Sequence, residues 1–388
     1  MRCIRRTMST TTTTTTPINT RILRVNPESI VFKKDQILPH ILDKETEDNL
    51  NIASEQLKSL NVIGFPTETV YGLGGSALSD KSVQPIYRAK NRPADNPLIV
   101  HISSIQQLKS KLLPSNTEIP NIYKPLIDKF WPGPLTILLR NDPQNSPISS
   151  FVTGNQDTFA VRMPQHPVAR ALIAISDLPL AAPSANSSTK PSPTMAKHVY
   201  FDLNGKIPLI LDGGSSNVGV ESTVVDGLSS PPMLLRPGGI SLEEIKEVGG
   251  KQWENIQIAK NLKDDSNEKA KTPGMKYKHY SPNAKVILFI NCGDGLKIMK
   301  EYIEKHNLEK SKIAILKTRN FQNLEGIEII KSLGVVGEEI SRNLFKLLRE
   351  VDEEANIDYI FVEGIDETNE GLAIMNRLNK AAVEVIKL

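Results

Sequence analysis

Apolar and polar positions follow two different rhythms along this chain. From about Asp43 to Val248, helical patterns are separated by short apolar runs at Asn61–Phe65, Leu135–Leu139, Phe159–Arg162, Pro208–Leu211 and Thr223–Val225. That mixture predicts an α/β domain. The runs end in proline and glycine punctuation: Phe65-Pro66, Trp131-Pro132-Gly133-Pro134, Ala182-Pro183-Ser184 and Arg236-Pro237-Gly238-Gly239. Loops that carry function are expected at those strand ends. After Ala284 the rhythm becomes regular. Strands are predicted at Lys285–Ile290, Lys312–Leu316 and Ile357–Val362, separated by amphipathic stretches at Leu296–His306 and Val336–Val351, with a last helix over Leu372–Leu388. This spacing predicts a small, Rossmann-like parallel α/β domain.

The chain thus divides into a leader at residues 1–26, a first domain at 43–250, a linker at 251–282 and a second domain at 283–388. The linker contains a polar stretch from Lys260 to Lys271 followed by Met275-Lys276-Tyr277-Lys278-His279-Tyr280-Ser281-Pro282. At 388 residues with 39% hydrophobic content, there is apolar surface for more than one core. Lys+Arg total 47 against 44 Asp+Glu, a net charge of +3 that argues against a strongly electrostatic binder. The 2 cysteines, Cys3 and Cys292, have no CxxC or Cys/His spacing, so disulfide scaffolds and structural zinc are disfavoured. No apolar run approaches the roughly 20 residues of a bilayer span. A cytoplasmic protein without membrane association is expected.

The leader has Arg2, Arg5, Arg6, Arg21 and Arg24, no acid before Glu28, and an unbroken threonine tract from Thr10 to Thr16. That composition suits a mitochondrial transit peptide and equally a low-complexity leader with no address. Met8 is an alternative start that would drop Arg2, Arg5 and Arg6, so cytosolic and mitochondrial forms could both arise.

Candidate chemistry begins at Pro66-Thr67-Glu68-Thr69-Val70-Tyr71-Gly72-Leu73-Gly74-Gly75, where hydroxyls, a carboxylate and mobile backbone could approach a small ligand. Gly72, Gly74 and Ala77, with Asp95 beyond, imitate a dinucleotide fingerprint, but Pro66 to Tyr71 intervene where its first glycine should follow the strand directly. In Lys90-Asn91-Arg92-Pro93, Pro93 biases Arg92 towards an extended form, and residues two apart in extended chain share a face. Two adjacent cations suit a polyphosphate, although a solvated basic edge has the same composition. His101 alone reads as a core histidine. Arg162, Ser184, Asn186, Ser222 and Arg236 each recur at the ends of apolar runs. Singly they are ion pairs or turn formers; together they suit an anionic ligand above a sheet. P-loop, nucleophile-elbow and zincin signatures are all missing from the sequence. What remains is a site of donors and cations, which acts by positioning and charge stabilisation.

Six segments occur in order: Pro66-Thr67-Glu68-Thr69-Val70-Tyr71-Gly72-Leu73, Lys90-Asn91-Arg92-Pro93 with Pro97-Leu98, Phe130-Trp131-Pro132-Gly133-Pro134-Leu135-Thr136, Ala182-Pro183-Ser184-Ala185-Asn186, Glu221-Ser222-Thr223-Val224-Val225-Asp226, and Leu235-Arg236-Pro237-Gly238. With them come Pro273-Gly274-Met275-Lys276-Tyr277-Lys278-His279-Tyr280 and Asn376-Arg377-Leu378-Asn379-Lys380-Ala381-Ala382. The whole closely resembles the threonylcarbamoyl-AMP synthase family in its long, two-domain form. The resemblance implies a YrdC-like twisted mixed sheet with helices for the first domain. It implies a nucleotidyltransferase that condenses L-threonine, bicarbonate or CO2, and ATP into threonylcarbamoyl-AMP and pyrophosphate. The product would feed a tRNA-modifying threonylcarbamoyl transferase complex, with weak tRNA binding by this chain as a further implication.

By the same resemblance, L-threonine would be held at Thr69, His101, Arg162, Ala182 and Ser222. The nucleotide would be held at Lys90, Arg92, Asn96, Thr158, Ser184, Asn186, Ser192, Arg236 and Tyr280. Lys90 and Arg92 would be catalytic through phosphate charge. Mg2+ would accompany ATP without a dedicated carboxylate cage. The linker would form a lid, through Tyr277, His279 or Tyr280. Two other readings stay open at this point, an RNA-binding module of the same fold and a carbamoyl transferase. Aromatics at 5% without a basic-aromatic stripe weaken the first, and the missing zinc-binding cysteines weaken the second.

Overall fold

A computed structural model describes residues 18–33, 36–93, 96–259, 279–353 and 357–388. The first domain is built on a mixed sheet of eleven strands among the described residues. In spatial order they are Arg21–Arg24, Leu209–Asp212, Ile63–Phe65, Gly72–Ser76, Leu180–Ala181, Ile99–His101, Thr158–Arg162, Leu135–Arg140, Thr223–Asp226, Met233–Arg236 and Gln257–Ile258. Its two faces bury separate cores, as a side-chain period of two requires. Leu209 and Leu211 join Phe65 and the helices Lys44–Lys58 and Pro167–Ser176 on one face. Ile210 joins Leu73, Val100, Val161 and the helices Asp80–Lys90, Lys124–Phe130 and Ala196–Leu203 on the other.

Helix ends are written locally. Asp43 accepts from Thr46 N at 3.0 Å at one N-terminus, and Ser241 with Glu244 forms a capping box at another. Gly74 is a packing glycine: a Cβ there would lie 2.6 Å from the Phe65 ring. It belongs to an antiparallel strand rather than to a phosphate-binding turn, which disposes of the dinucleotide imitation.

The second domain has five strands in the order Ile329–Ser332, Ile313–Lys317, Tyr359–Glu363, Lys285–Ile290 and Ala382–Lys387, all paired in parallel. Helices Leu296–Lys305, Gly337–Glu353 and Glu370–Ala381 cover it. The predicted Rossmann-like pattern is present. No helix among the described residues is long and apolar enough to cross a membrane. The two domains share a core, in which Val70, Val220 and Tyr280 pack with Leu344, Phe345, Ile374 and Leu378.

Three boundaries differ from expectation. The leader assigned to 1–26 includes the strand Arg21–Arg24, which pairs in parallel with Leu209–Asp212 and forms the edge of the sheet; residues 1–17, with the threonine tract and Met8, lie outside the described residues. The linker assigned to 251–282 includes the strand Gln257–Ile258, paired to Met233–Leu234. The last helix stops at Ala381, and Ala382–Lys387 is an edge strand with alternating exposure, as its β-branched Val383, Val385 and Ile386 suit.

Candidate active site

A cleft of about 740 Å3, counted out to its mouth, lies over the sheet face that carries Ile99 and His101, two residues apart on one strand. The adjacent strand sets Arg162 directly beside His101. The loop Pro66–Tyr71, the segment after Leu180–Ala181, Ser222 ahead of its strand, and Arg236 at the end of its own complete the walls. Thr69, Lys90, Arg92, His101, Arg162, Ala182, Ser184, Asn186, Ser192, Ser222, Arg236 and Tyr280 all line it. Asn96 and Thr158 do not. Thr158 opens the strand that ends at Arg162, and Asn96 lies shortly before the strand Ile99–His101, where its carbonyl oxygen and that of Pro97 lie 3.5 Å from Arg92 Nη2.

Arg162 is 3% exposed and donates Nη1 to Thr69 Oγ1 at 2.8 Å, Nε to Gly133 O at 3.1 Å, and Nη2 to Glu68 Oε1. Glu68 Oε2 also accepts from the backbone N–H groups of Gln165 and His166 at 3.1 and 3.3 Å. A guanidinium has five N–H donors, and three are used here, so two remain for a ligand. Thr69 is itself set by Thr67, whose Oγ1 lies 2.8 Å away. His101 is held neutral: burial first, and then the Arg162 charge, push its pKa down to about 3. Its Nδ1 lies 3.2 Å from Ile99 O.

Opposite, Arg236 donates Nε and Nη2 to Ser222 O at 3.1 and 3.0 Å and Nη2 to Ser222 Oγ at 3.1 Å. Burial, its largest influence, lowers its pKa to about 10, which leaves it charged near neutrality. Ser222 Oγ also lies 2.8 Å from Thr136 Oγ1. Ser192 donates to Glu221 Oε1 at 2.5 Å, and Asn186 donates to the carbonyl oxygens of Ser187 and Lys190.

Lys90 reaches the cleft by a route other than extended alternation. It is the last residue of the helix Asp80–Lys90, and Asn91 caps that helix in the left-handed region at φ 51°. Its Nζ donates to Ser184 O and Asn186 O, both at 2.5 Å, with Asn186 Oδ1 at 3.4 Å. Burial, followed by the Arg92 charge, pushes its pKa well down, while three oxygens that only accept favour the ammonium. Lys90 therefore shapes the Ser184–Asn186 loop as well as charging the cleft.

Of the linker aromatics, His279 and Tyr280 line the cleft, and Tyr277 lies outside the described residues. Tyr280 stacks on Phe345 of the second domain, with ring centroids 5.2 Å apart.

Residues 55–238 match a family model described as "Telomere recombination", the Sua5, YciO and YrdC group. Residues 240–383 match one described as "Threonylcarbamoyl-AMP synthase, C-terminal domain". A threonylcarbamoyl-AMP synthase of Schizosaccharomyces pombe is 49% identical over 95% of this chain and 99% of its own length. The chain belongs to the threonylcarbamoyl-AMP synthase family. The family's enzyme from Bacillus subtilis is 44% identical over 85% of this chain and 92% of its own. A crystal structure of Pyrococcus abyssi Sua5 complexed with L-threonine superposes with a TM-score of 0.80 at 42% identity, covering 95% of this chain and 99% of that one.

Family membership leaves two carboxylates to be read from geometry: Glu221, which lines the cleft, and Glu68, which lies between the lining residues Thr67 and Thr69. The sequence assigns neither a role, because it does not show that each faces an arginine from a distant segment, Arg162 for Glu68 and Arg377 for Glu221. Ser188, Thr189 and Lys190 also line the cleft, in a polar loop whose composition alone carries no signal of a site.

Proposed function

We propose that this cleft joins L-threonine, bicarbonate or CO2, and ATP into threonylcarbamoyl-AMP with release of pyrophosphate. The observation that carries the reading is that one cleft holds two distinct poles. A guanidinium with two donors to spare stands beside Thr69 and the neutral His101, and a separate group of cations, Lys90, Arg92 and Arg236, lines the same space. The first pole fits an amino-acid carboxylate gripped through parallel N–H bonds, and the second fits a triphosphate. The L-threonine held by the Pyrococcus abyssi relative supports that division.

In the proposed sequence the threonine nitrogen forms a bond to carbon dioxide and loses a proton, giving a carbamate. A carbamate oxygen then bonds to the α-phosphorus as the bridging oxygen to the β-phosphorus departs with pyrophosphate. No protein nucleophile is required. Arg162, Thr69 and Ser222 orient threonine, while Arg92, Lys90 and Arg236 offset charge that grows on the phosphoryl oxygens. Tyr280 and His279 wall off the mixed anhydride from water. Among the described residues no group of three or more His, Cys, Asp or Glu could hold a metal, and the carboxylates Glu68 and Glu221 are engaged by arginines. Mg2+ would therefore arrive on the phosphates. The adenylate would pass to a threonylcarbamoyl transferase acting on tRNA, in the cytoplasm and, through the N-terminus, in mitochondria.

The test is pyrophosphate release from ATP and bicarbonate with L-threonine, L-serine or no amino acid. Threonine-dependent release with a threonylcarbamoyl adenylate product is expected. Release independent of threonine would turn the reading towards carbamoyl transfer, and a folded chain that releases none but shifts tRNA in a salt-sensitive way would turn it towards RNA binding.

A further inference from the structure

The helix Glu370–Ala381 belongs to the second domain, yet the side chain of its Arg377 is wholly buried, at 0% exposure, against the first. A guanidinium cannot shed its charge, so burial demands acceptors around it. Nε and Nη2 donate to Glu221 Oε2 at 3.0 and 2.9 Å, and Nη1 donates to the carbonyl oxygens of Pro237 and Ala373. Glu221 directly precedes Ser222, and Pro237 directly follows Arg236. One guanidinium therefore ties down both segments that carry those cleft residues, one position away from each. The other oxygen of Glu221 accepts from Ser192, which adds a third segment to the network.

A second arginine repeats the arrangement from the helix Gly337–Glu353. Arg349 donates Nε and Nη2 to Pro191 O at 3.0 and 2.6 Å and Nη2 to Asp202 Oδ2 at 2.6 Å. Asp202 Oδ2 accepts in turn from Ser187 N at 3.1 Å. The loop from Ser187 to Ser192 is thus held near both ends from the second domain.

We infer that Arg377 is a positioning residue for the nucleotide side of the cleft, with Arg349 as its companion, and that the second domain is a working wall of the active site. This rests on the reaction proposed above. A residue that only held the fold would lower stability and spare substrate selection, whereas a positioning residue acts on the substrate whose contacts it sets. Those contacts are chiefly Arg236 and Ser192 on the nucleotide side, with Ser222, next to Glu221, on the threonine side.

The test uses the full chain with Arg377→Met, Arg377→Lys and the double variant Arg377→Met/Glu221→Met, reading melting temperature, kcat and KM for ATP and L-threonine from pyrophosphate release. The double variant removes both buried charges, so its fold should recover where that of Arg377→Met suffers. Arg377→Met should raise the ATP KM by about tenfold or more, with a clearly smaller rise for L-threonine through the Ser222 segment. Arg377→Lys should recover part of the loss, and the double variant should regain melting temperature without regaining ATP affinity. Folded variants with the parental ATP KM, equal rises for both substrates, or a double variant that regains both properties would overturn the inference. A parent chain without threonine-dependent release would defeat the proposed reaction instead.

Discussion

Replacing Arg162 by alanine separates the stability of the cleft from its use of threonine. Arg162 and Glu68 are 3% and 5% exposed, so their ion pair is screened little by water. The truncation leaves the Glu68 carboxylate with the N–H groups of Gln165 and His166 but without its counter-charge. Breaking a buried pair from one side costs about 3–5 kcal/mol. The ligand loses charge-assisted hydrogen bonds as well, of about 1.5–3 kcal/mol, which is a rise of roughly 10- to 150-fold in the L-threonine KM. The ATP KM should move far less, because Arg236 and Arg92 approach the cleft from other strands and loops. The double variant Arg162→Ala/Glu68→Ala should regain much of the lost melting temperature, since no buried charge is left unpaired, and none of the threonine affinity. Thermal unfolding followed by initial rates at varied L-threonine and ATP reads both effects. Equal rises for the two substrates, or threonine affinity restored in the double variant, would refute the reasoning.

Lys90→Met should release the Ser184–Asn186 loop from its three-acceptor anchor and raise the ATP KM while lowering kcat, and an unchanged ATP KM in a folded variant would remove Lys90 from the nucleotide side. Ser222→Ala removes a neutral hydroxyl shared with Thr136 and Arg236, so about 0.5–1.5 kcal/mol, or roughly 2- to 13-fold in threonine use, is expected from steady-state kinetics. His101 and His198 have folded pKa values near 3 against 6.5 unfolded, chiefly from burial. Below pH 6.5 the unfolded chain takes up protons that the fold refuses, so their contribution is complete above pH 6.5 and is lost as pH falls towards 3. Each histidine adds a slope of at most about 1.4 kcal/mol per pH unit, and denaturant titrations at pH 7 and 5 should show His101→Gln flattening the dependence. An identical slope in that variant would count against a neutral His101.

Much of this molecule was legible along the chain because its signals are local. The alternating apolar runs, the proline and glycine punctuation and the regular rhythm after Ala284 each depend on residues within a few positions, and the strands Leu135–Arg140, Thr158–Arg162 and Lys285–Ile290 lie where those runs predict. The residue types at the strand ends also suffice to name a site of cations and hydroxyls. Long-range pairing is a different matter. Arg21–Arg24 reads as a polar leader until Leu209–Asp212 supplies its ladder, and Ala382–Lys387 reads as helix until Lys285–Ile290 does the same, because a strand's hydrogen bonds are made to a distant segment. The same holds for charge. Arg377 and Glu221 are 156 residues apart, and nothing near either shows that one will be buried against the other. Residue chemistry belongs to the sequence, but burial, which decides whether a charge is solvated, paired or poised for a ligand, exists only once distant segments have packed together.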